Sequence, residues 1–149
     1  MTAMTFRARL RNTPDRLTLQ LCTIPSAVVT QALAAAGSDA VVIDLEHGAI
    51  DYSTAHAMIA ATAGTGCAPL VRVTENDEAL VKRALDLGAE GIMFPLIRSP
   101  EDARRAVATL HYPPDGTRGL AASRSCGCGP ERNLGCKSYT RRTISPSAR

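Results

Sequence analysis

Val41-Val-Ile-Asp-Leu-Glu-His-Gly48 is the stretch on which the fold of this chain turns. Val41, Val42 and Ile43 are β-branched, and Asp44, Glu46 and His47 follow at once. A short apolar run without polar alternation reads as a strand buried on both faces, the environment of a parallel sheet. The two carboxylates and the imidazole then stand where the strand leaves the core. In α/β folds that carboxyl end is where ligands bind and chemistry takes place. The blander reading is a polar loop that caps the next helix. Three titratable side chains within four positions favour a functional cluster, since an imidazole beside carboxylates offers a general base.

The same alternation repeats on either side. Residues 17–22 read as a preceding strand, Ser26 as the cap of an Ala-rich helix to Ala36, and Gly37 as its stop. Residues 40–44 form the second strand. Ser53 or Thr54 opens a helix through Ala63, Gly64 and Gly66 break it, and residues 68–73 are a third strand. Asn76 or Asp77 caps a helix to Leu87, stopped by Gly88, and residues 91–95 are a fourth, wholly apolar strand. Ser99-Pro100 opens a last helix that ends near Leu110. Strand starts near 17, 40, 68 and 91 give units of 23 to 28 residues, the signature of a parallel α/β sheet. An eight-unit (β/α) barrel takes ~250 residues. The expected fold class is therefore α/β, the N-terminal half of a TIM (β/α) barrel with about four strand–helix units; an open doubly wound sheet shares the alternation.

Composition bounds the function. The 149 residues suffice for one domain with a core, packed by Ala, Val, Leu and Ile because only 3% are aromatic and Trp is absent. No run approaches the ~18 apolar residues of a membrane span, so a soluble, cytoplasmic protein without a membrane partner is expected. Residues 1–16 form an N-terminal helix or arm; they carry Arg but lack the apolar centre of a secretory signal. A mitochondrial presequence is the alternative there to an ordinary amphipathic helix. The net charge of +3 divides unevenly: residues 1–119 hold 11 Lys and Arg against 13 Asp and Glu, whereas residues 120–149 hold 6 against 1. A mildly acidic body, residues 17–119, thus precedes an irregular, basic, Cys-containing tail, read as disordered. With Tyr139 as its one aromatic residue and no recognition motif, the tail is not expected to bind nucleic acid. Cys22 and Cys67 read as buried small hydrophobes. Cys126, Cys128 and Cys136 lack zinc-site spacing, and an odd cysteine count fits free thiols in a reducing compartment.

A family resemblance rests on Ala35-Ala-Gly-Ser-Asp39, on residues 41–48, on Pro69-Leu-Val-Arg-Val73 and on Lys82-Arg-Ala-Leu-Asp-Leu-Gly88. Gly91-Ile-Met-Phe-Pro95 and Tyr112-Pro-Pro-Asp-Gly-Thr-Arg-Gly119 continue it. In this order and spacing, from about residue 17 to about residue 125, the chain resembles the HpcH/HpaI aldolases. The resemblance implies a class II pyruvate aldolase that cleaves 4-hydroxy-2-oxo acids to pyruvate and an aldehyde with Mg²⁺, Mn²⁺ or a similar divalent metal. It implies His47 as proton acceptor, Arg72 as transition-state stabiliser and Asp86 as the carboxylate that raises the basicity of His47. Asp44 and Glu46 would bind substrate or position water and the metal from behind its ligands, and Arg118 would help bind an anionic substrate. The implied partners are a small 2-oxo acid of the pyruvate class and further copies of the chain in a homo-oligomer. Asp86 sits awkwardly, because it falls at the end of a helix, where a barrel returns to the face opposite its active site. His56 and His111 are read as structural.

After Ser125 the pattern changes in composition, charge and periodicity together. The family continues for another half barrel, and the resemblance places the metal-holding Glu and Asp there, so this chain supplies no metal ligand. A reading frame shifted or broken near Cys126 accounts for the joint change; a divergent C-terminal extension is the alternative. Little or no activity is therefore expected of this truncated chain alone. A non-catalytic fragment that docks on an intact paralogue, and a nucleic-acid binder acting through the tail, are the competing functions.

Overall fold

The computed structural model describes residues 5–12 and 16–119. Along these the elements are α1 (Phe6–Asn12), β1 (Leu19–Cys22), α2 (Ala27–Ala35), β2 (Ala40–Asp44), α3 (Tyr52–Ala60), β3 (Ala68–Arg72), α4 (Glu78–Asp86), β4 (Gly91–Met93) and α5 (Pro100–Leu110). The strands form one parallel sheet in the order β1-β2-β3-β4, so every neighbour in space is the next strand in sequence. A doubly wound sheet would reverse its order at a switch point. This one does not, and it is the N-terminal half of a (β/α) barrel.

The two faces of the sheet separate by strand alternation. Val41, Ile43, Val71 and Val73 pack outward against Ala55, Met58, Ile59, Val81 and Ala84 of the crossover helices. Ala40, Val42, Ala68 and Leu70 face inward, where Phe6 of α1 covers them. Because β2 is enclosed on both sides, all five of its residues are buried, the charged Asp44 included. Helix α1 also ties the strand starts together. The Phe6 N–H donates to Glu90 Oε1 at 2.6 Å, and Arg9 donates to the Gly66 carbonyl and pairs with Asp39. Asp39, Gly66 and Glu90 lie just ahead of β2, β3 and β4.

Helix starts follow capping chemistry. Ser26, Asp77 and Ser99 cap α2, α4 and α5 with side-chain oxygens that accept N–H bonds from the first turn, and Pro100 opens α5. The start of α3 differs from the sequence expectation. Asp51, not Ser53 or Thr54, is its cap, accepting from the Thr54 N–H at 2.7 Å. A carboxylate two residues earlier is the stronger acceptor. That helix also stops at Ala60 rather than Ala63, where Thr62 and Thr65 hydroxyls donate to the carbonyls of Ile59 and Thr62 in successive turns. Strand β4 ends at Met93, two residues short of Pro95, which has no N–H to extend the ladder.

Candidate active site

The register of β2 on β3 brings Asp44 opposite Arg72 at the carboxyl ends of both strands. The two side chains form a bidentate pair: Arg72 Nε donates to Asp44 Oδ1 at 2.8 Å and Nη2 to Oδ2 at 2.5 Å. Asp44 Oδ1 also accepts the backbone N–H groups of Glu46 and His47, at 3.0 and 3.2 Å. One buried carboxylate therefore fixes the guanidinium on one side and the turn carrying Glu46 and His47 on the other. The Arg72 hydrogen bonds hold the Asp44 carboxyl below the usual carboxylate range; the two N–H groups add to that, and burial opposes it. Asp44 in turn raises the already high basicity of Arg72.

Glu46 lies between the other two functional side chains. Its Oε2 is 3.4 Å from Arg72 Nε and its Oε1 is 3.7 Å from His47 Nε2. The His47 side chain is 68% exposed at the rim. Gly48 closes the turn by donating its N–H to the Asp44 carbonyl at 3.2 Å. A Cβ at residue 48 would collide with that carbonyl and stand 3.1 Å from the Thr23 carbonyl, so the turn requires glycine here for close approach. Beyond Arg72, the register places Met93 of β4 on the inner face as its neighbour.

Asp86 and Arg118 are brought to each other. Arg118 Nη2 donates to Asp86 Oδ1 at 3.3 Å, and the guanidinium carbon lies 4.8 Å from the centre of the Tyr112 ring. Arg118 is 3% exposed. Asp86 is the last residue of α4, and Arg118 follows α5, where the chain returns toward strand starts; Asp44 and Arg72 mark the strand ends. His56 is exposed on α3, and His111 is the C-cap residue of α5 whose carbonyl accepts the Arg118 N–H. Cys22 and Cys67 are buried free thiols, and burial pushes the Cys67 thiol up. Cys126, Cys128 and Cys136 lie outside the described residues.

Two features of the cluster were not visible in the sequence. Asp44 is the anchor of Arg72, a role that needs the register of β2 and β3 and not only their composition. The cluster is also over-neutralised: one guanidinium faces two carboxylates, a balance of −1 while His47 is neutral. Among the described residues, no group of three or more His, Cys, Asp or Glu could hold a metal ion. Both Asp44 oxygens are taken by N–H donors and Glu46 faces Arg72, so these residues do not fit the metal that the resemblance implies. No described helix is long and apolar enough to cross a membrane.

Comparison with known proteins places the fold and the family. The model of the HpcH/HpaI aldolase/citrate lyase family matches residues 23–141, past the point near 125 where the sequence motifs end. A 2-dehydro-3,6-dideoxy-6-sulfogluconate aldolase of Pseudomonas putida is 45% identical over 97 residues, which are 65% of this chain and 38% of that protein. A pyruvate aldolase of Rhizobium etli is 36% identical over 117 residues, 78% of this chain and 46% of that protein. The crystal structure of an HpcH/HpaI aldolase/citrate lyase family protein from Burkholderia cenocepacia J2315 superposes with a TM-score of 0.77 at 36% identity, covering 85% of this chain and 55% of that one. The chain thus spans less than half the length of these two aldolases. With the family model covering most of its length, and with the fold in agreement, this chain belongs to the HpcH/HpaI aldolase/citrate lyase family.

Proposed function

We propose that this chain carries the proton-transfer and anion-stabilising half of a pyruvate aldolase, which cleaves 4-hydroxy-2-oxo acids to pyruvate and an aldehyde. The observation that supports this reading is the Asp44–Arg72 pair at adjacent strand ends, with Glu46 and His47 held on the turn that Asp44 organises. His47, exposed and near the Glu46 carboxylate, accepts the proton of the C4 hydroxyl as the carbon–carbon bond breaks. Arg72 places a fixed positive charge beside the oxygen on which negative charge collects. Its Nε and Nη2 are committed to Asp44, so Nη1 is the nitrogen outside that pair. Asp86 is carried as a proposed influence on His47 from outside this cluster, and Arg118 as the group that holds it.

The charge balance sets what the half can do alone. A 2-oxo acid brings a carboxylate to a cluster that is already −1, so the described residues repel it more than they hold it. Binding needs additional positive charge, the part that the resemblance assigns to a divalent metal held elsewhere. The isolated chain therefore performs little or no cleavage. The test joins this chain to the C-terminal half of the Pseudomonas putida aldolase and follows pyruvate release from a 4-hydroxy-2-oxo acid with Mg²⁺ or Mn²⁺. Activity in the joined protein, lost in His47→Gln and in Arg72→Met, is the expected result. A joined protein that keeps full activity without His47 would overturn the assignment.

A further inference from the structure

The turn after β2 sets two adjacent side chains beside each other. Asp44 Oδ1 accepts the Glu46 and His47 N–H groups, and the Gly48 N–H returns to the Asp44 carbonyl. Within that turn Glu46 is the more enclosed, with 18% of its side chain exposed against 68% for His47. Its carboxylate serves two neighbours at once. Oε2 lies 3.4 Å from Arg72 Nε, on a guanidinium that the buried Asp44 already holds in place. Oε1 lies 3.7 Å from His47 Nε2. Among the described residues, Glu46 is the one carboxylate within ion-pair distance of His47. An exposed imidazole has little packing to fix its ring, so this contact is what orients it.

The chemistry follows from which nitrogen faces the carboxylate. A neutral imidazole carries hydrogen on one ring nitrogen and a lone pair on the other, and the partner of one decides the role of the other. An ionised carboxylate only accepts, so it selects the tautomer with hydrogen on Nε2. We propose that Glu46 is the positioning residue for His47: it holds the Nε2–H side of the ring and leaves Nδ1 as the nitrogen that takes the substrate proton. The second half of this rests on the cleavage proposed above. There the C4 hydroxyl proton moves to Nδ1, the C3–C4 electron pair passes to the pyruvate enolate, and C4 becomes the aldehyde carbon. Nδ1 then returns the proton to C3, which completes pyruvate.

Arg72 makes the arrangement testable, because it fixes which end of residue 46 faces which partner. In Glu46→Gln the amide oxygen stays with the guanidinium, a donor, and the amide nitrogen turns to His47. A donor at that position favours the lone pair on Nε2 and moves the hydrogen to Nδ1. In Glu46→Ala nothing at residue 46 selects either tautomer. Both variants keep the backbone N–H that Asp44 accepts.

The experiment measures the imidazole nitrogen shifts of the 149-residue chain by NMR at alkaline pH, where histidine is neutral. His56 on α3 and His111 after α5 are internal references, and backbone amide spectra verify that each variant folds. The share of the Nε2–H tautomer of His47 should fall in the order wild type, Glu46→Ala, Glu46→Gln. The first step should change the tautomer ratio about two- to fivefold, the range of an exposed charged contact. In the joined protein, Glu46→Gln should lower kcat at least about tenfold and change KM less than about threefold. A wild-type ratio equal to that of Glu46→Ala overturns the proposal, and so does a Glu46→Gln variant that keeps the wild-type ratio. The expected order of tautomers beside a joined protein that cleaves nothing supports the holding of the ring and overturns the aldolase reading instead.

Discussion

Asp44→Asn isolates the residue on which the site is built. Asp44 is fully buried and accepts four hydrogen bonds, two from Arg72 and one each from the Glu46 and His47 N–H groups. An amide keeps the Oδ1 contacts but turns an N–H₂ toward Arg72 Nη2, donor against donor, and leaves the guanidinium without its buried counterion. Removing one partner of a buried pair costs about 3–5 kcal/mol. Arg72 retains Glu46 at 3.4 Å and is 20% exposed, so the lower end applies, about 3 kcal/mol. In a domain of this size that corresponds to a fall in Tm of about 12–24 °C. The pH dependence adds a second signature. The folded Asp44 pKa is lowered, so its contribution is complete above the unfolded value of about 3.9 and is lost as pH falls through the folded value. Urea midpoints at pH 7 and pH 3 should therefore differ more for the wild type than for Asp44→Asn. A variant within about 0.5 kcal/mol of wild type at pH 7, with an unchanged acid limb, would refute the anchor role.

Three further changes probe separate parts of the argument. Gly48→Ala drives a Cβ into the Asp44 carbonyl, and should cost about 1–3 kcal/mol in urea unfolding while displacing His47, whose imidazole NMR shifts report the change. Phe6→Ala removes the plug over Ala40, Val42, Ala68 and Leu70; a loss of about 3–5 kcal/mol is expected, with amide exchange rising first at the strand starts. His47→Gln alters a side chain that is 68% exposed, so Tm should stay within about 2 °C of wild type. The same substitution should abolish cleavage in the joined protein, and a large loss of stability would mean that His47 is a structural residue.

Much of this was legible in the chain because the signals are local. Unbroken β-branched residues marked β2, Ser26 and Ser99-Pro100 marked two helix starts, and Gly88, with φ of 105°, stopped α4 where the sequence placed it. What was not legible depends on how elements meet. The choice between a half barrel and a doubly wound sheet lies in strand order, which no single unit encodes. Asp44 looked like one more polar residue beside Glu46 and His47 until equal strand ends set it against Arg72. Asp86 and Arg118 were each visible as a charge in a motif, yet their pairing requires α4 and the segment after α5 to come together. The α3 cap was misplaced for a smaller reason: three cap-forming side chains stand within four residues, and the backbone turns at the earliest, Asp51.

The sign of the site connects its structure to its chemistry. Asp44 and Glu46 fix the orientation of Arg72, and together they outweigh its charge. A guanidinium held this way is well oriented and weakly attractive, which suits an oxygen that becomes negative only as a bond breaks better than one that is negative from the start. In the proposed cleavage, the ground-state carboxylate is then held by positive charge from beyond this cluster.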